Sequence, residues 1–376
     1  MRGSTVFAGL AMFATLLVPS PAMAGNKKLE QLNSVLYGRV VDFTHNHDSD
    51  RRIWSATLQQ KRDLYVYLPP GYDAGRPCCL VLWLHGAFGD EQIAFLLARL
   101  EMLDRLILAG LCPPTIVAIP DGTITGSSSI LSKHSFFVNG QQGRFGDHLF
   151  EDVVPFIESQ YSVRPEREAR ALVGVSAGGF GALSHGIKQR AKFGHVAALA
   201  PPANLRYGNV DADYFADFDP AKYRWRTEYR PQQTIGTFLG GVIRLKEGDF
   251  VAPVFGPREA LIRNVAAVNP ADLLFQENIA PEELDIFIHY PKHDNFNFDA
   301  QIESFQWLAA SRGLHMTLVR DENGTHTIPY FQESMPSVWA WLGTRLPGGK
   351  YARSMRTPVL PVLRVSATVS ETPARR

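Results

Sequence analysis

The sequence is poor in several of the features that would fix its class at once. Three cysteines in 376 residues are too few for a disulfide-built scaffold. Charge of one sign is also lacking: 38 Lys and Arg against 37 Asp and Glu leave a formal net charge of +1, so no global field draws the chain to nucleic acid or to an anionic membrane. No apolar run reaches the roughly 20 residues needed to span a bilayer, and no internal repeat is present. What remains is an ordinary globular balance, 45% hydrophobic and 20% charged, with a small molecule or a neutral polymer as the expected partner.

The first 24 residues read as a secretory leader: Arg2 begins it, Val6 to Val18 form its apolar stretch, and Ala22-Met23-Ala24 is its small-residue cleavage site. The mature chain is then expected from Gly25, in the periplasm or outside the cell. In such a compartment Cys79 and Cys112 could form a bridge, although two thiols buried at strand starts would give the same pattern.

Short apolar runs at 62–69, 79–84, 115–119, 169–175, 196–200, 284–290 and 315–320 read as strands. Helical spacing at 91–109, 146–161, 177–190, 299–312 and 329–346 alternates with them. This rhythm predicts an α/β fold: a mostly parallel twisted sheet with helices on both faces, and antiparallel edge strands at the N-terminal end, where VVDFTH and RDLYVYL alternate. One domain over 25–347 accommodates it. Residues 202–275 break the rhythm as an insertion near the site, and 348–376, rich in Pro, Ser, Thr and Arg, are expected to be a disordered tail.

Gly174-Val175-Ser176-Ala177-Gly178-Gly179 stands where a buried strand hands over to a helix. There a serine is held on a tight turn with its hydroxyl exposed, and the glycines are needed because side chains would strike the neighbouring strand and helix. A serine needs a base, and His326, after the last strand, is the candidate. Asp294, after LDIFIHY, is the candidate to orient that imidazole, with Asp299 as its rival, while Asp285 begins the same strand and belongs to the opposite edge. The backbone N–H groups of Ala177 and of Ala87, in HGAFG, are candidates for an oxyanion hole.

Taken in order, YVYLPPGYD at 65–73, LWLHG at 82–86, AIPDG at 118–122, FEDVVPFIESQY followed by VGVSAGGFGAL, and the late GTHT resemble the esterase D/feruloyl esterase/mycolyltransferase family. The resemblance covers roughly residues 36–346 apart from the insertion. It implies an α/β-hydrolase fold, no cofactor, and acyl-enzyme chemistry on a small-molecule or polysaccharide-linked ester; the spacing after Asp294 is somewhat longer than the family pattern. A mycolyl-type acyltransferase, with a sugar hydroxyl as acceptor, shares the same residues, and a non-catalytic binding protein could share the fold.

Two clusters stand outside this set. His45-Asn46-His47-Asp48-Ser49-Asp50 carries metal-ligand residue types, although a polar loop between strands explains it equally well, and no metal is expected. The insertion's Tyr207, Tyr214, Phe215, Tyr223, Trp225 and Tyr229 could stack on a substrate or simply pack a lid.

Overall fold

The structure, a computed structural model, describes residues 23–349 except 48, 127–133, 239–242 and 257. The leader therefore lies outside the described residues apart from Met23 and Ala24, which open helix α1 (Met23–Val35), and so does the tail from residue 350. Among the described residues no helix is long and apolar enough to cross a membrane.

Eight strands form the central sheet: β1 Arg39–Phe43, β2 Leu64–Leu68, β3 Cys79–Leu84, β4 Thr115–Pro120, β5 Arg170–Val175, β6 His195–Leu199, β7 Asp285–Pro291 and β8 Thr317–Asp321. Their spatial order is β1-β2-β4-β3-β5-β6-β7-β8. The β1–β2 and β2–β4 pairs are antiparallel, and every other pair is parallel. The expected antiparallel start is present, but of its two strands only β1 lies at the edge; β2 is the second strand and is buried throughout.

The continuous apolar runs have a direct cause in this layering. Along β3, Leu80, Leu82 and Leu84 enter one core, while Cys79, Val81 and Trp83 enter the other. Helices α3 (Val154–Gln160), α4 (Ala177–Lys188), α5 (Pro270–Gln276) and α6 (Phe298–Ala310) contribute to the first core, and α2 (Leu100–Leu108) and α7 (Ile328–Arg345) to the second. With both faces covered, polar alternation would place charge inside a core.

Two expectations need correction. The helical pattern over 91–109 is not one helix, because Arg99 takes a left-handed backbone (φ 48°) immediately before α2. The Cys79–Cys112 bridge is not formed: all three cysteines are free and buried. Cys79 Sγ is 4.0 Å from the Pro347 carbonyl and Cys112 Sγ is 3.9 Å from Thr115 Oγ1, and burial pushes both thiols up to about 12.

Candidate active site

The turn from β5 to α4 carries Ser176 with φ 53° and ψ −120°, a conformation that non-glycine residues rarely hold. The packing around it leaves no alternative. A Cβ on Gly174 would lie 2.2 Å from the Gly178 carbonyl oxygen, and one on Gly178 would lie 2.2 Å from that of Leu84. Ser176 N–H donates to the Leu199 carbonyl at 2.8 Å, pinning the turn against β6.

His326 and Asp294 come to Ser176 from the two connections that follow β7 and β8. His326 Nε2 is 3.0 Å from Ser176 Oγ, and its Nδ1 is 2.7 Å from Asp294 Oδ2. The Asp294 side chain is fully buried, and its other oxygen accepts the Phe296 N–H at 2.8 Å. Three rings that the sequence did not mark pack edge-on around the imidazole: Phe296, Phe298 and Phe331, with centroids at 4.8, 5.4 and 5.0 Å. The alternation DNFNFD beside Asp294 was the available signal for two of them.

Asp299 does not join this set. It sits in the first turn of α6 but is not its N-cap, a position taken by Asn297. Burial and the nearby Asp294 push its carboxyl up to about 7. Asp285 is at the other edge of the sheet, 3.1 Å from His195 Nδ1.

The loop bearing Ala87 runs directly against the serine: a Cβ on Gly86 would lie 3.2 Å from Ser176 Cβ. Ala87 and Ala177 both border one apolar cluster, which continues into Ile235, Val251 and Phe255 of the insertion. The insertion folds as two hairpins, Tyr207–Asn209 with Tyr223–Trp225 and Thr234–Phe238 with Ile243–Lys246, followed by short helices. Between it and the site lies a cavity of about 20 Å³, room for roughly one water, walled in part by Tyr214, Phe250, Phe296 and Phe298.

Most of the insertion's marked aromatics are engaged within the protein. Tyr207 donates to the carbonyls of Ala216 and Asp217, Tyr214 donates to that of Phe296, and Trp225 lies beneath the Arg206 guanidinium at 5.0 Å. Tyr223 accepts from Asn204 and packs on Trp307 of α6. Phe215 packs edge-on against Tyr214 at 5.1 Å but keeps an exposed ring, and Tyr229 borders the apolar cluster that includes Ala177. Packing of the segment accounts for these contacts.

The described His and Asp side chains of the polar stretch after β1 are each bonded to different partners rather than to one another. His45 Nδ1 pairs with Asp63, His47 Nε2 with Tyr65 Oη, and Asp50 with Arg52 and Lys61; Asp48 lies outside the described residues. Asp63, Glu91 and Asp121 form a buried carboxylate trio behind the Ala87 loop. Arg62 and hydrogen bonds from His45 and Asn46 already meet this trio, and no metal is assigned to it.

Comparison with known proteins gives a family and a fold. Residues 55–342 match the family described as putative esterase. A curated esterase of Mycobacterium tuberculosis strain H37Rv is 30% identical over 175 residues, 45% of this chain and 36% of that protein. The chain thus spans little more than a third of the length of the curated relatives it matches. Among solved structures, a ferulic acid esterase superposes with a TM-score of 0.60 at 17% identity, covering 83% of this chain and 99% of the other. The S-formylglutathione hydrolase of Agrobacterium tumefaciens gives 0.59 at 16%, covering 83% and 96%. At such identities the likeness is one of fold, and that fold is the α/β-hydrolase.

Proposed function

The chain belongs to this putative esterase family, and from that premise we propose that it is a serine esterase that cleaves a carboxylic ester through an acyl-enzyme on Ser176. The observation that carries the reading is the imidazole of His326 standing between the Ser176 hydroxyl and the Asp294 carboxylate, at 3.0 and 2.7 Å.

In this reading His326 Nε2 takes the hydroxyl proton as Ser176 Oγ attacks the ester carbonyl. Asp294 fixes the tautomer and stabilises the imidazolium, and the Ala87 and Ala177 N–H groups hold the oxyanion. The imidazolium returns the proton to the departing alcohol, leaving the acyl group on Oγ. Water, deprotonated by the same imidazole, attacks the acyl-enzyme; the acid leaves and Oγ recovers its proton. Phe296, Phe298 and Phe331 shield the imidazole edges from bulk water, which strengthens its interaction with Asp294. Action outside the cytoplasm belongs to the same proposal and rests on the leader reading of residues 1–24.

The test is fluorophosphonate labelling of the purified mature protein with peptide mapping, alongside turnover of a short p-nitrophenyl ester. Label on Ser176 alone, and turnover abolished in Ser176→Ala, are expected. Full turnover by Ser176→Ala would refute the reading.

A further inference from the structure

The loop that presents Ala87 is fixed at both ends to buried polar groups. At its start His85, fully buried, accepts the Gly122 N–H at Nε2 (2.8 Å), so its Nδ1 carries the proton and donates to the Gly86 carbonyl at 2.9 Å. At its far end Glu91 opens the short helical turn Glu91–Ile93 and is only 3% exposed. Its Oε1 accepts from Asn46 Nδ2 at 2.8 Å, a bond to the loop after β1.

The charged groups closest to Glu91 are carboxylates. Oxygens of Asp63, at the start of β2, Asp121, at the end of β4, and Glu91 all lie within 4.8 Å of one another, and Asp90 precedes Glu91 on its own turn. The neighbouring cationic groups serve the two aspartates: Arg62 bonds Asp121 at 2.5 Å, and His45 bonds Asp63 at 2.9 Å. His47 and Tyr65 bond each other, His85 Nε2 lies 3.7 Å from Asp121 Oδ1 while accepting the Gly122 N–H, and Arg52, facing Asp63, is held by Asp50. Among the described residues Glu91 forms no ion pair, and its neutral donors, Asn46 Nδ2 and its own backbone N–H, do not offset two facing carboxylates. Three carboxylates in so small a buried space cannot all ionise.

We propose that Glu91 is a positioning residue for the oxyanion hole, anchoring as a neutral carboxylic acid the far end of the loop that carries Ala87. This rests on the esterase reading above. The neutral group sits beside Asp63 and Asp121 without repulsion. Once ionised it is repelled by both, and the displacement falls on a segment only four residues past Ala87, so that the donor leaves its line to the reacting oxygen. Burial, reinforced by Asp90, Asp121 and Asp63, holds the Glu91 carboxyl well above the ordinary glutamate range, in keeping with the neutral form at physiological pH.

The experiment is kcat and KM for a short p-nitrophenyl ester from pH 6 to 10, corrected for spontaneous hydrolysis, on the wild-type protein, E91Q and E91A. E91A should lose ~10- to 100-fold in kcat with KM changed less than about threefold, and E91Q should restore most of the loss. The wild type should show an alkaline fall in kcat that E91Q lacks, a readout that a purely structural role would not move. Retention of the full alkaline fall by E91Q overturns the proposal, as does wild-type kcat in folded E91A. If E91A does not fold, the E91Q profile alone decides. No turnover by the wild type, or undiminished turnover by Ser176→Ala, would instead sink the esterase reading beneath it.

Discussion

At Ser176 the backbone is held in a conformation that costs on the order of 1–3 kcal/mol, and Gly174, Gly178 and Leu199 around it leave the chain no relaxed alternative. The two aspartates that the sequence left in competition differ in what they touch. Asp294→Asn keeps the shape but presents the wrong group to His326 Nδ1, and kcat is expected to fall roughly 10⁴-fold. Asp299→Asn replaces a carboxyl already pushed up to about 7 with its near isostere, and kcat should stay within about threefold. Steady-state kinetics on one ester checks both. His326 was legible because it alone follows the last strand in a short polar turn, and Asp294 because it follows the strand before. The trio of Asp63, Glu91 and Asp121 was not legible: its members lie on three separate segments, and only the antiparallel pairing of β2 with β4 brings the first and last together.

For the elements, the strands read best where both faces are buried. β3 has the bounds the sequence suggested because every side chain of CLVLWL has a core to enter. Helix 91–109 read worst. Its apolar spacing runs on unbroken, but Arg99 is drawn out of helical backbone while its side chain bonds Glu101 and the Gln332 carbonyl of α7, a partner over 200 residues away. The junction of β5 and α4 tolerates least. Gly178→Ala would place a methyl group 2.2 Å from Leu84 O and 2.4 Å from His85 O, which are backbone atoms that cannot turn aside. We expect a destabilisation of about 3 kcal/mol or more in urea unfolding, with loss of ester turnover in whatever folds.

Across the whole molecule, His185 ties the α4 face to the segment leading into α3, donating from Nε2 to the Phe137 carbonyl at 2.6 Å. Burial pulls this imidazole down to about 4. The unfolded chain takes up a proton here near pH 6.5 and the folded one does not, so this residue's contribution to stability is complete above pH 6.5 and is lost as the pH falls toward 4. His185→Gln, which can keep a donor toward Phe137, should reduce the slope of unfolding free energy against pH in that window by on the order of 1 kcal/mol per pH unit. Urea titrations at several pH values measure it. The order of the sheet has a further consequence, for the timing of synthesis. His326 lies 150 residues beyond Ser176, on the connection that follows the final strand. A ribosome will have delivered the serine and most of the sheet long before His326 leaves its exit tunnel, so on the esterase reading proposed above the nascent chain stays inert until the connection bearing His326 docks.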